Sequence, residues 1–222
     1  YYRRSIFALR KSFAEFRLLF MSKGDCMRIL RMSILCLVFN LVIYFLFSST
    51  LLAWPEGPPA YRTGAVGDIG TCNADLCHNS FSLNSGSAKF SIVAPSVYSA
   101  GKSATVEVSF SDSQGVLYGF EMTAVDAVGK RVGSFKKIGK TMQVIPPKDY
   151  RGLKKKDKGK YIEHSYKGIK KKQWKFKWVA PGNAIDPITF YAAGVEAIAE
   201  GNIVKDYVYT TTAEIVREAS KQ

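Results

Sequence analysis

From Ala88 onward, apolar and polar residues alternate in short runs separated by turn residues. "AKFSIVAP" sets Phe90 and Ile92 against Lys89 and Ser91, and "SATVEVSFSD" sets Val106, Val108 and Phe110 against Thr105, Glu107 and Ser109. A period of two predicts strands with one face buried and one wet. "LYGFEMTAVDAVGKRVGSF" gives two strands around the turn Asp126 to Lys130, and "TMQVIPP", "KYIEHSY", "QWKFKWVAP", "ITFYAAGVEA" and "DYVYTTTAEIV" come after it. In the third of these, Trp174, Phe176 and Trp178 face one side while Lys175 and Lys177 face the other. Seven to nine short strands with no long amphipathic helix predict an all-β, antiparallel, immunoglobulin-like sandwich over residues 88–218.

Upstream the pattern changes twice. Residues 54–87 are rich in Gly, Pro, Ser, Asn and Asp and have no period, which predicts an irregular loop needing a crosslink or cofactor to hold it. Residues 27–53 open with Arg28 and Arg31, run apolar from Ile34 to Phe47 except for Asn40, and end in Ser48, Ser49, Thr50 and Ala53. That order predicts a helical signal peptide cut near Ala53. Met32 to Ala53 is also 22 residues, enough for a retained anchor. Either reading exports the remainder of the chain, to the periplasm, the cell surface or the medium. Residues 1–26 carry Arg3, Arg4, Arg10, Lys11, Arg17 and Lys23, and read as an upstream segment or a cytoplasmic tail.

Charge alters the picture locally. The 222-residue chain has a formal net charge of +14, and beyond Ala53 there are 24 Lys and Arg against 16 Asp and Glu, a net of +8. The excess lies in Lys154–Lys160 and Lys167–Lys172, on either side of "YIEHSY". Such runs suit a polyanion or an anionic lipid surface, or they solubilise a hairpin and block edge pairing. Arg is nearly absent from them, so bidentate phosphate recognition is disfavoured and no nucleic-acid partner is expected.

The candidate chemistry sits in "GDIGTCNADLCHNSF". Cys26 and Cys36 belong to the leader, which leaves Cys72 and Cys77, with His78 directly after the second. Covalent haem attachment needs two thiols and a histidine adjacent to the second, which then ligates the iron. The usual spacing puts two residues between the cysteines; here there are four. A Cys72–Cys77 disulfide is the plain alternative in an oxidising compartment. Zinc lacks a second pair of ligands, and a thioredoxin-like pair lacks its βαβ unit. Trp174 and Trp178 read as core, or else as a carbohydrate platform. No Ser-His-Asp order, carboxylate pair or phosphate-cradling loop appears, so no enzyme is expected.

The motifs in their order, "GPPAYRTGAVGDIGTCNADLCH", "YGFEMTAVDAVGKRVGSF", "KYIEHSYKG", "QWKFKWVAPG" and "ITFYAAGVEA", resemble the bacterial Reeler-like, choice-of-anchor V proteins from about Gly57 to about Ile215. The resemblance implies a secreted Reeler-type sandwich preceded by a loop that carries one covalent haem c. Cys72 and Cys77 fall on the thiols that would hold it, His78 on the proximal histidine, and His164 on a second histidine of the family pattern. The longer Cys–Cys spacing departs from that pattern, and any tether is expected in the N-terminal apolar segment.

The resemblance implies electron transfer with a redox partner in the envelope. His164 reads by default as a satisfied core or hairpin histidine; it is also the first candidate for a sixth iron ligand, ahead of Met122, Met142 and the lysines. Tyr61 and Arg62 are placed to meet haem propionates or to cover the macrocycle.

Overall fold

The computed structural model describes residues 27–28, 31–40, 56–75, 77–200 and 203–219. The alternating runs become ten strands among these residues: β1 (Lys89–Val93), β2 (Val97–Tyr98), β3 (Ser103–Ser111), β4 (Leu117–Val125), β5 (Ser134–Lys136), β6 (Met142–Val144), β7 (Tyr161–His164), β8 (Gln173–Val179), β9 (Ile188–Glu200) and β10 (Ile203–Arg217). They form a four-stranded sheet in the order β1-β3-β8-β5 and a six-stranded sheet in the order β2-β10-β9-β4-β7-β6. Every pairing is antiparallel except β2 with β10. The β9–β10 hairpin is longer than its alternation suggests, since its register continues from Ile188↔Ile215 to Glu200↔Ile203.

The two sheets bury a shared aromatic core. Trp174, Phe176 and Trp178 are at most 1% exposed, which removes the carbohydrate-platform reading. Phe120 lies 4.8 Å from Trp174 and 5.9 Å from Phe176, and Trp178 meets Phe190 edge-on at 5.0 Å, ring to ring. Met122 and Met142 belong to the same inter-sheet core, so neither is available as an iron ligand on the loop side. Lys175 and Lys177 point outward from β8, as their alternation predicts.

The six-stranded sheet departs from the one-wet-face pattern. β4 is buried from Tyr118 to Val125 and β7 throughout, because residues 56–75 and 77–86 cover the sheet's second face. The chain near the N-terminus is described by itself: it is helical at 27–28 and 31–40, where Asn40 donates to the Cys36 carbonyl at 2.7 Å. Among the described residues no helix is long and apolar enough to cross a membrane. The expectations for residues 1–26, and the cleavage zone within 27–53, lie outside the described residues.

Truncating Phe176 to Ala should cost about 3–5 kcal/mol, whereas Lys177→Ala on the outer face should stay within about 0.5 kcal/mol. Urea unfolding of the two variants checks this; equal costs would mean that the β8 alternation does not decide burial.

Candidate functional site

The loop ahead of the sandwich is held on the covered face by buried polar side chains. On the covered face Glu121 and Glu163 stand directly opposite each other on β4 and β7, and both are fully buried. Glu121 accepts from the Tyr61 N–H at 3.0 Å and the Arg62 N–H at 3.2 Å. Glu163 pairs with Arg151 and accepts from the Gln143 amide at 2.9 Å, while its Oε2 has no partner. Arg151 in turn donates to the Pro58 carbonyl at 2.7 Å. Asp68 accepts from the Tyr161 hydroxyl at 2.6 Å and pairs with Arg131, whose guanidinium lies 5.0 Å from the centre of the Tyr61 ring. A Cβ at Gly57 (φ +107°) would come within 2.4 Å of the Glu163 carboxyl carbon, so only glycine lets the backbone pass so close.

Burial governs the protonation of these acids. It pushes Glu163 up to about 8, with Arg151 opposing the shift. Burial and then the facing Glu163 raise Glu121 well above the usual carboxylate range. Tyr61 is 7% exposed and donates to Asp157 at 2.7 Å, and Arg62 is half-buried with its backbone held by Glu121. Tyr61 is thus part of the latch and not a cover for an open ligand.

Two strands along, the same face carries the Cys/His segment. Cys72 is buried against Ala193, Val195 and Val208, whereas Cys77 is exposed, and both are free thiols. Burial pushes the Cys72 thiol up, with Glu121 and Cys77 adding to the shift. His78 Nδ1 lies 2.6 Å from Asp206 Oδ2 on β10. The carboxylate therefore engages one ring nitrogen and leaves Nε2 as the other. Residues 81–84 close the open edge of β10. Asn84 N–H donates to the Val208 carbonyl and Thr210 N–H to the Asn84 side chain, each at 2.8 Å, and Phe81 stacks on Tyr207 at 4.1 Å.

His164 comes from the opposite side of this face. It ends β7 and does not sit mid-strand: the β4–β7 ladder stops at Glu121↔Glu163, and the imidazole takes the next place. Its Nδ1 is 3.0 Å from the Phe120 N–H and 3.2 Å from the Phe120 carbonyl, so either neutral tautomer has a partner. Burial holds it down at about 4, and the charges of Arg151 and His78 act in the same direction. A Cβ at Gly119 would come within 2.7 Å of its ring, so this glycine makes the room. Between His164 and the Cys/His segment the register lays down small or aliphatic side chains, Gly119↔Val195↔Val208 and Leu117↔Ala197, the latter row ending at Asp206. From β10 to β7 this floor spans three strand spacings, about 14 Å.

Spacing singled out Cys72, Cys77 and His78, rarity and the resemblance added His164, and the fold brings all four to one face. It missed Asp206, 128 residues from His78 along the chain. Among the described residues no cluster of three or more His, Cys, Asp or Glu side chains is placed to hold a metal ion.

The fold defines an all-β sandwich of two sheets with an N-terminal loop latched over the larger one. Residues 70–199 match the Reeler domain, and the chain belongs to that family. No curated protein matches the chain.

The buried acids set a pH dependence. Glu163 is raised above its unfolded value of about 4.3, so its stabilising contribution is complete below that value and is lost as the pH rises through about 8. His164 is depressed below about 6.5, so its contribution is present above that value and is lost as the pH falls towards about 4. Urea midpoints should peak between these limits, and Glu163→Gln should flatten the alkaline limb. A loss of about 3–5 kcal/mol at pH 7 in Glu163→Gln would instead identify a charged pair with Arg151.

Proposed function

We propose that this Reeler domain is an exported electron-transfer protein, of the choice-of-anchor V kind, that carries one covalent haem c on the latched face of its six-stranded sheet. The observation that carries the reading is the contact between His78 and Asp206. A disulfide loop has no use for an imidazole oriented by a carboxylate, whereas a metal-ligating histidine commonly has its second nitrogen fixed in this way. What supports the reading further is the donor set: an exposed Cys77 beside His78, and Cys72 on the same face, packed on the apolar side chains of Val195 and Val208.

In this reading Cys72 and Cys77 would hold the group through thioethers, and His78 Nε2 and His164 would offer it nitrogen ligands. The haem iron, when bound, supplies one-electron redox chemistry. Asp206 holds Nδ1 and fixes the orientation of the ring, and Phe120 gives the His164 Nδ1–H a carbonyl to donate to. The latched loop keeps water from the floor. The protein is a carrier and not an enzyme, and its partner is a redox protein of the envelope.

A second reading has its own support. Cys72 packs like a core residue, as one member of a short disulfide would, and the protein is then a haem-free extracellular adhesion domain.

Co-expression with a c-haem maturation system and a reduced pyridine-haemochrome spectrum decide between them. The haem reading expects one haem per chain, lost in Cys77→Ser and in His78→Ala. Colourless protein with an intact Cys72–Cys77 disulfide overturns it. In the loaded protein, Asp206→Asn should raise the midpoint potential, because a less basic imidazole donates less to the oxidised iron. An unchanged Soret band in His164→Ala would remove His164 as a ligand.

A further inference from the structure

The two lysine runs are separate in sequence, but the fold joins them along one rim. The first run leans on the edge strand β5, where the Phe135 N–H donates to the Gly159 carbonyl at 2.9 Å and Lys160 reaches the Gly133 carbonyl. The second begins beside the β5–β6 connection, where the Ser165 N–H donates to the Thr141 carbonyl at 3.1 Å and its hydroxyl to the Lys140 carbonyl at 2.5 Å. The end of β5 and that connection add exposed Lys136, Lys137 and Lys140 to the runs. Lys136 even stands directly opposite Lys177 in the β5–β8 register, a like-charge pair that sheets disfavour.

The acids of this region do not answer the charge. Asp157 is buried and bonded to Tyr61, Glu163 is buried with Arg151, and Glu107 is taken by Lys175. Among the described side chains no carboxylate pairs with Lys136, Lys137, Lys140 or Lys167. Two large apolar groups sit within the charge: Ile138 is 46% exposed between Lys137 and Lys140, and Tyr166 is 62% exposed between Ser165 and Lys167.

We propose that this rim docks on an anionic bilayer surface, with Lys137, Lys140 and Lys167 over the headgroups and Ile138 and Tyr166 entering the interface between them. Flexible, strongly hydrated ammonium groups suit diffuse headgroup charge and do not demand bidentate geometry. The exposed Ile138 and Tyr166 decide between lipid and a soluble polyanion. A polymer repays only charge, whereas a bilayer also accommodates an aliphatic side chain and an amphipathic ring at its boundary. The proposal is independent of the haem reading, since no residue of the rim belongs to the Cys/His face.

The test is co-sedimentation of the full chain with phosphatidylcholine vesicles containing increasing phosphatidylglycerol. Partitioning should rise with phosphatidylglycerol, weaken with salt, and fall about fivefold for each of Lys137→Gln, Lys140→Gln and Lys167→Gln. Lys→Arg at the same positions should restore it. Ile138→Ser and Tyr166→Ser should weaken binding with the charge unchanged. On pure phosphatidylcholine the lysine variants and wild type should bind alike. Wild-type binding that ignores phosphatidylglycerol, or that the lysine variants leave unchanged, overturns the proposal. So does equal binding to soluble dextran sulfate that ignores Ile138 and Tyr166, which would assign the rim to a charged polymer.

Discussion

Two carboxyl groups face each other on adjacent strands, away from water, and the covered face is arranged around them. Opposed like charges on a sheet destabilise it, and an unpartnered buried charge costs far more than any surface contact returns. Glu121 and Glu163 are tolerable because the chain ahead of the sandwich brings backbone N–H groups to one, while Arg151 pairs with the other. The same contacts explain why a Gly- and Pro-rich stretch without period is ordered: its backbone donors and acceptors are satisfied by the sheet. The loop carrying Cys72 and His78 is thereby attached at one end to β4 and β7, and at the other to β10.

Alternation along the chain foretold the sandwich well because most of its strands obey one physical rule. Trp174, Phe176 and Trp178 had to leave water, and Lys175 and Lys177 had to stay in it. The rule failed on β4 and β7, where Glu121, Thr123 and Glu163 occupy positions that alternation assigns to solvent. All three are buried, because the second face is covered by a segment far away in sequence. A local period reports which residues share a face; it is silent on whether that face is wet. The groups that hold the loop on this face were illegible for the same reason, since they lie on β4, β7 and the Arg151 turn.

The candidate site divides along a similar line. Cys72, Cys77 and His78 were legible because the chemistry requires them to be neighbours in sequence. His164 stood out through rarity, as the chain's only other histidine. Asp206 had no such signal. In "DYVY" it reads as a polar residue on the wet side of a strand, and its role appears only once residues 78–84 close the edge of β10. That closure also answers the edge problem. An exposed row of backbone groups invites pairing with another chain, and Asn84 and Thr210 occupy it with a side chain and a turn.

The two halves of the charge story are connected. The formal net of +8 beyond Ala53 counts Glu121 and Glu163 as ionised. Burial raises both, Glu163 to about 8, so near neutral pH they contribute less negative charge than the count assumes. Asp68 and Asp157 are also withdrawn beneath the loop, committed to Arg131 and Tyr61. Among the described side chains, Lys136, Lys137, Lys140 and Lys167 have no carboxylate of their own and remain on the rim. Sequestering acids to latch the loop therefore leaves the rim's positive field uncompensated, and one folding constraint accounts both for the ordered Cys/His face and for the basic surface beside it.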